Sequence, residues 1–417
     1  MDLLADLEAR GLLHDHTDRD ALAARLADGP VTLYYGCDPT ADSLHVGNLI
    51  GLLVLRRFLD AGHRPIALAG GATGMVGDPS GRSEERNLLD EATLAANTAA
   101  IKAQITQVLG GVEGWHLVDN LEWTRDVRLL DFLRDVGKHA TVNQMVARES
   151  VKARMESDHG ISFTEFSYML LQANDYLWLH DHEGTELQIG GSDQWGNILS
   201  GVDLIRRARG RIVHGFCWPL LTAPDGTKLG KTTGARVWLS AERTSPYQFF
   251  QHFMRTDDRQ VGEFLAKFTL LPMTEVEAVT AAHLAAPERR DGQRRLAWEA
   301  TAVVHGAQAA DLARSVSDLL FGGSVSDEAA LGALVGEIPS TDLPSDRVVG
   351  RDLGELAAEV GLCASKTAAT RALGQGGLYV NNVRAEAGPV PAEALKFGRY
   401  LLLRHGKANY HLVVASS

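Results

Sequence analysis

VTLYYGCDPTADSLHVGNL, residues 31–49, reads as a strand, a loop and the opening of a helix. Val31, Thr32, Leu33, Tyr34 and Tyr35 form a β-branched and aromatic run suited to a buried strand. Gly36 and then Asp38-Pro39-Thr40 break it, because Pro39 lacks an N–H and disfavours helix at Asp38. His45-Val46-Gly47-Asn48 opens an apolar helical run from Leu49 to Leu59. Free backbone N–H groups and the positive dipole end at such a helix start favour an anion. Gly47 lets a flat ring approach the backbone, and His45 offers a hydrogen bond to a phosphate.

Working outward, Leu3, Leu4, Leu7, Leu12, Leu13, Ala21, Leu22 and Leu26 give residues 2–27 helical spacing, closed by Gly29-Pro30. On the other side, Pro65 to Ala69 is a second apolar strand. Strand, helix and strand make a βαβ unit, which predicts parallel pairing. The glycine-rich stretch Gly70 to Gly81 follows, without GxGxxG spacing, at the sheet edge where α/β ligands sit. Asp78 there suits a ligand ammonium, and Arg82 and Arg86 suit either phosphate oxygens or solvent.

Helices are expected over 88–109, 127–136 and 143–155, with a strand near Trp115–Leu121. Phe132, Val136, Val142 and Met145 form an apolar face suited to the sheet or to a second subunit. Ser162-Phe163-Thr164-Glu165 is a capping box for a helix over 166–180. On it Tyr168, Gln172 and Asp175 share one face, a polar stripe in apolar surroundings that suits a pocket wall. Leu187-Gln188-Ile189 is a short strand, and Gly190 to Asn197 follow it with an acid and amides suited to ribose hydroxyls. Arg206, Arg207, Arg209 and Arg211 end the next helix as a basic patch. Val213 to Leu221 reads as the last strand, and Ala223 to Gly234 is a glycine-rich loop with Lys228 and Lys231.

The 417 residues allow two or three domains, and 45% hydrophobic with 23% charged content is that of a globular chain with a sizeable core. The net charge of −12 argues against a general nucleic-acid coat. Residues 350–417 carry a net +3 against −15 for the rest, which suits local RNA contact. Cys37, Cys217 and Cys363 are far apart, so neither a disulfide framework nor a cysteine zinc site is expected. An acidic, amphipathic N-terminus and the lack of a long apolar run lead us to expect a reduced, cytoplasmic protein without a membrane span.

His45-Val46-Gly47-Asn48 resembles the HIGH signature of class I aminoacyl-tRNA synthetases, and Lys228-Leu229-Gly230-Lys231-Thr232 resembles their KMSKS signature. Asn48 replaces the final His, and Leu229, Gly230 and Thr232 replace the Met and both Ser residues. Tyr34-Tyr35-Gly36, Asp38 to Ala41, the Gly70 loop, Tyr168/Gln172/Asp175 and Gly191 to Asn197 are similar to the bacterial tyrosyl-tRNA synthetases, over nearly the whole chain. The resemblance implies an α/β, Rossmann-type parallel-sheet catalytic domain at 1–240. A helical domain at 241–322, a linker at 323–349 and a small α+β RNA-binding domain of the ribosomal S-four type at 350–417 would follow.

It also implies the chemistry: tyrosine activated by ATP, which brings Mg²⁺, with no tightly bound cofactor and no fixed metal, then transfer to tRNA(Tyr), in a homodimer. Tyr34 and Asp175 would take the phenol, and Asp78, Tyr168 and Gln172 the ammonium. His45, Thr40, Lys228 and Lys231 would serve catalysis. Gly36, Asp38, Gly47, Asn48, Gly191, Asp193, Gln194, Lys231 and Thr232 would hold ATP and the adenylate. Arg206, Arg207, Lys366 and Arg371 would meet RNA. A tryptophan-specific relative is disfavoured because an indole offers Tyr34 and Asp175 no phenol. A non-catalytic RNA-binding paralogue is disfavoured because His45, Lys228 and Lys231 are all present.

Overall fold

A computed structural model describes residues 2–80, 89–156, 160–221 and 236–416. Arg82, Arg86, Lys228, Lys231 and Thr232 lie outside them. The chain packs as two units, one of Met1–Thr244 with Met254–Val304 and one of Ser245–Phe253 with His305–Ser417.

The first unit is built on five strands: β1 (Thr32–Cys37), β2 (Arg64–Ala69), β3 (His116–Asp119), β4 (Thr185–Gly191) and β5 (His214–Trp218). Their order is β3-β2-β1-β4-β5, and every pairing is parallel, as the βαβ reading requires. Sequence order reverses between β1 and β4, so a crevice opens beyond their carboxyl ends, where ligands of such sheets bind. The helix Val46–Asp60 returns the chain from β1 to β2 and buries Leu49, Ile50, Leu52, Leu53, Val54, Leu55 and Phe58. Buried on nearly every side, it fixes its own N-terminus at the edge of β1. Arg10 and Arg57 donate to carbonyls at the end of the helix Val261–Phe268, where the helix leaves acceptors unpaired.

The N-terminal helical spacing resolves into two helices, Leu3–Ala9 and Arg19–Ala27. Gly11 at φ +66° ends the first, and residues 14–17 lie antiparallel along β5 through His14 N–H to Cys217 O and Thr17 N–H to Gly215 O. Pairing to an open strand edge overrides the helical pattern there. The helix expected over 143–155 likewise divides into Val142–Val146 and Glu149–Met155. The tyrosine-bearing helix runs Phe163–Glu183 behind the Ser162 cap. No described helix is long and apolar enough to cross a membrane.

The second unit holds β6 (Ser340–Pro344), β7 (Leu378–Val380), β8 (Val383–Arg384), β9 (Tyr400–His405) and β10 (Asn409–Ser416), in the order β6-β10-β9-β7-β8. β6 is parallel to β10, and the other pairs are antiparallel. Asn381 and Asn382 both take positive φ and close the β7–β8 hairpin in two residues. Alternate residues serve opposite faces. Leu401, Leu403 and Val413 pack with Leu353, Leu356 and Leu378, while Tyr400, Leu402, Leu412 and Val414 pack with Val316, Leu319, Leu331 and Leu334. Residues 323–349, expected as a linker, supply the helix Glu328–Ala333 and β6 to this body. Pro, Ser and Asp hide that strand from propensity, and backbone pairing to β10 makes it.

Candidate functional site

β1 delivers Tyr34 at its buried centre and Asp38 just beyond its end. The Tyr34 hydroxyl is buried and has no partner among the described residues. Burial and the nearby Asp175 charge both push it well above the ordinary phenol range. Asp175, near the middle of its helix, is 3% exposed. Its Oδ1 accepts the Trp123 indole N–H at 2.8 Å and its Oδ2 accepts Asn120 Nδ2–H at 2.9 Å. Burial raises the carboxyl to about 7, against the pull of Asn120 and Trp123 and with help from Asp38 and Asp119. Each oxygen keeps a lone pair for a further donor.

Hydrogen bonds pair members of the ammonium and nucleotide sets, which were expected separately. Tyr168 O–H donates to Asp38 Oδ2 at 2.8 Å, and Thr73 O–H to Asp38 Oδ1 at 2.7 Å. Gln194 Nε2 donates to Asp78 Oδ2 at 2.6 Å, and Ser80 N–H to Asp78 Oδ1. Gln194 Oε1 in turn accepts from Asn197. Gly70 permits this approach, since a Cβ there would lie 2.1 Å from Asp38 Oδ1. Gly191 ends β4 in the core, and Asp193 stands exposed in the turn that follows. Gln172 lies half-buried on the same helix stripe, while Thr40 and Gly36 are exposed.

His45 caps the helix Val46–Asp60. Its Nδ1 accepts the Gly47 N–H at 3.0 Å, and its own N–H goes to Asn48 Oδ1 at 3.1 Å. A nitrogen that accepts carries no proton, so the neutral ring presents Nε2–H. Burial, then Arg236, lowers the imidazole to about 4, which keeps it neutral near pH 7. The flat ring against Gly47 is therefore His45 itself: a Cβ at Gly47 would sit 2.8 Å from it. Asn48 acts first within this cap, and its amide also meets the Tyr35 hydroxyl.

Of the basic candidates, Arg206 pairs with Asp203, and Arg207 donates to the His139 carbonyl and to Gln144. Lys366 pairs with Glu355 on the surface, and Arg371 is exposed on the helix Lys366–Gly374. One group of His, Asp and Cys ligand atoms converges among the described residues, His14, Asp15 and Cys217. There the thiol donates to Asp15 Oδ2, and burial pushes it up to about 12.

Asn120, Trp123 and Thr73 belong to the site but were not among the expected residues. A polar residue directly after an apolar strand was the available signal for Asn120. Trp123 offered none, since its role depends on where β3 lies.

A family model described as tRNA synthetases class I (W and Y) matches residues 26–322. The chain is 50% identical to a tyrosine–tRNA ligase of Opitutus terrae, over 99% of each chain. It is 47% identical to one of Roseiflexus castenholzii, again over 99% of each. Among solved structures it resembles a C-terminally truncated mitochondrial tyrosyl-tRNA synthetase of Aspergillus nidulans. The TM-score is 0.70 at 33% identity, over 77% of this chain and 94% of that one.

Proposed function

The chain belongs to the class I tRNA synthetases of the tryptophan and tyrosine kind, and from that membership and its tyrosine–tRNA ligase relatives we propose that it is a tyrosine–tRNA ligase. The carboxylate of L-tyrosine attacks the α-phosphate of ATP, pyrophosphate leaves, and tyrosyl-adenylate remains. A terminal hydroxyl of tRNA(Tyr) then attacks the acyl carbon and releases AMP.

The observation that carries this reading is the Tyr34 hydroxyl, without a partner among the described residues, beside the doubly held Asp175 carboxylate. A substrate phenol donates to Asp175 and accepts from Tyr34, which answers both groups. Phenylalanine would leave the Tyr34 hydroxyl buried and unpaired, at a cost of about 1–3 kcal/mol, and would give Asp175 no third donor. Asp78, Tyr168 and Gln172 take the ammonium, with Asp38 joined to them through Tyr168.

The first step needs no enzyme nucleophile. It needs positioning, and donors for the charge that gathers on the phosphate. His45 Nε2–H, the Asn48 side-chain amide and Thr40 supply these, with Lys228, Lys231 and Thr232, while Gly47 holds the His45 ring in place by giving it its N–H. Gly36, Gly191, Asp193 and Gln194 hold the adenosine and adenylate. Mg²⁺ enters as the counter-ion of ATP.

Exposed Leu129 (71%), Leu130 (77%) and Val142 (61%) support a homodimer. tRNA(Tyr) crosses it and meets Arg206, Arg207, Lys366 and Arg371, in the cytoplasm. The functional division is catalytic at 1–240, helical at 241–322, connecting at 323–349 and RNA-binding at 350–417. Charging of tRNA(Tyr) with labelled tyrosine tests the reading. Acceptance of tyrosine that Tyr34→Phe weakens relative to phenylalanine is expected, and no charging at all would reject it.

A further inference from the structure

Trp123, Trp178 and His182 form a stacked column on the outer side of the tyrosine helix. Trp123 and Trp178 lie 4.3 Å apart between centroids, with planes 10° from parallel. His182 continues the stack at 4.2 Å and 14°. The column runs from exposed His182 through half-buried Trp178 to buried Trp123, and there it ends on chemistry: the Trp123 indole N–H is the donor to Asp175 Oδ1.

Two elements meet in this stack. Asp175, Trp178 and His182 share the helix Phe163–Glu183, whereas Trp123 belongs to the short helix Leu121–Thr124 beyond β3. Spacing of three and four residues brings Trp178 over Asp175 and His182 over Trp178. His182 is itself fixed, because its Nδ1 lies 2.9 Å from the Trp178 carbonyl oxygen. A carbonyl only accepts, so Nδ1 carries the proton and the ring cannot turn without losing that bond.

An indole has one N–H on a flat ring. A tilt of that ring swings the N–H off the carboxylate, and a hydrogen bond weakens steeply as its angle closes. Stacking on a parallel ring resists such a tilt. We propose that Trp178, braced by His182, is a positioning residue for tyrosine recognition: it holds the Trp123 indole flat so that Asp175 keeps the orientation that meets the substrate phenol. This rests on the ligase reading for its substrate, while the column itself does not.

Trp178→Ala and Trp178→Phe in the full chain test it. In tyrosine-dependent pyrophosphate exchange, the alanine variant should raise the tyrosine KM about fivefold, the worth of one aromatic stack. The KM for ATP and kcat should stay within about twofold, since only substrate binding is affected. Trp178→Phe, which still stacks, should return the tyrosine KM close to wild type. Separately, the Trp123 indole proton, assigned by its loss in Trp123→Phe, should exchange with D₂O faster in Trp178→Ala than in wild type. An unchanged tyrosine KM, equal losses in kcat and in both KM values, failure of the phenylalanine variant to rescue, or an unchanged indole exchange rate each overturns the proposal. A wild-type chain that shows no tyrosine-dependent exchange defeats the ligase reading instead, and the indole proton then decides the column alone.

Discussion

Asp175 sits with its carboxyl at about 7, so its charge changes near neutral pH. The sign of the consequence is fixed. Below that value the carboxyl is protonated and loses its strength as an acceptor for the phenol. The tyrosine KM should therefore rise as pH falls from 8 to 6, approaching about tenfold per unit at the acid end. A flat profile across that range would remove Asp175 from phenol binding. Ligand-free stability moves the other way. A carboxyl raised on folding supports the fold at low pH, and that support is lost as pH rises through about 7. His45, held near 4, stays neutral across the same range and should add no inflection. His45→Ala should lower tyrosine-dependent exchange by roughly 10²-fold, as loss of one transition-state donor does. An unchanged rate would exclude it from the mechanism. Tyr34, Asp175 and His45 could be proposed from the sequence because they stand within a strand, on a helix face and at a helix start that their neighbours define. Trp123 could not, because its work depends on β3 lying beside β2, which no local pattern states.

The helix Val46–Asp60 begins where His45 folds back on Gly47, and this gives a test that separates activity from stability. Gly47→Ala puts a Cβ into the ring. The ring must move, and losing its bond to the Gly47 N–H should cost about tenfold in exchange rate. Alanine suits a helix better than glycine by about 1 kcal/mol, so the melting temperature should hold or rise. Reduced activity with an equal loss of stability would count against the cap as a functional device. In the second unit, Arg371 is exposed on a short helix, where a phosphate contact is open to it. Arg371→Ala should weaken tRNA binding and reduce the slope of log affinity against log salt by about 1. An unaltered slope would exclude that contact. Strands β1, β2 and β4 could be read directly, because apolar runs mark them. The edge pairing of residues 14–17 and the strand β6 could not. Both owe their form to an exposed strand partner, and their own side chains argue for something else.

The parallel sheet gathers groups that the chain keeps far apart: Tyr34 and Asp38, then Asp78, then Tyr168 and Asp175, then Gln194, all joined by hydrogen bonds or charge. Its outer surface carries the apolar helix Leu129–Asp135 with Leu129 and Leu130 exposed. The wild-type chain should sediment as the proposed dimer and Leu130→Glu as a monomer, and a dimer that persists in the variant would place the interface elsewhere. Removing residues 350–417 is a poor test of RNA binding, because Leu402, Leu412 and Val414 cover Val316, Leu319 and Leu331 within one body. Point variants such as Arg371→Ala avoid exposing that core. As proposed, one crevice holds a nucleotide beside a slot shaped for a phenol. Exchange of labelled pyrophosphate into ATP by the purified full chain tests it most directly, with tyrosine, phenylalanine or tryptophan supplied in turn. Exchange is expected with tyrosine and none above background with the other two. Comparable exchange with phenylalanine or tryptophan, or none with tyrosine, would contradict it.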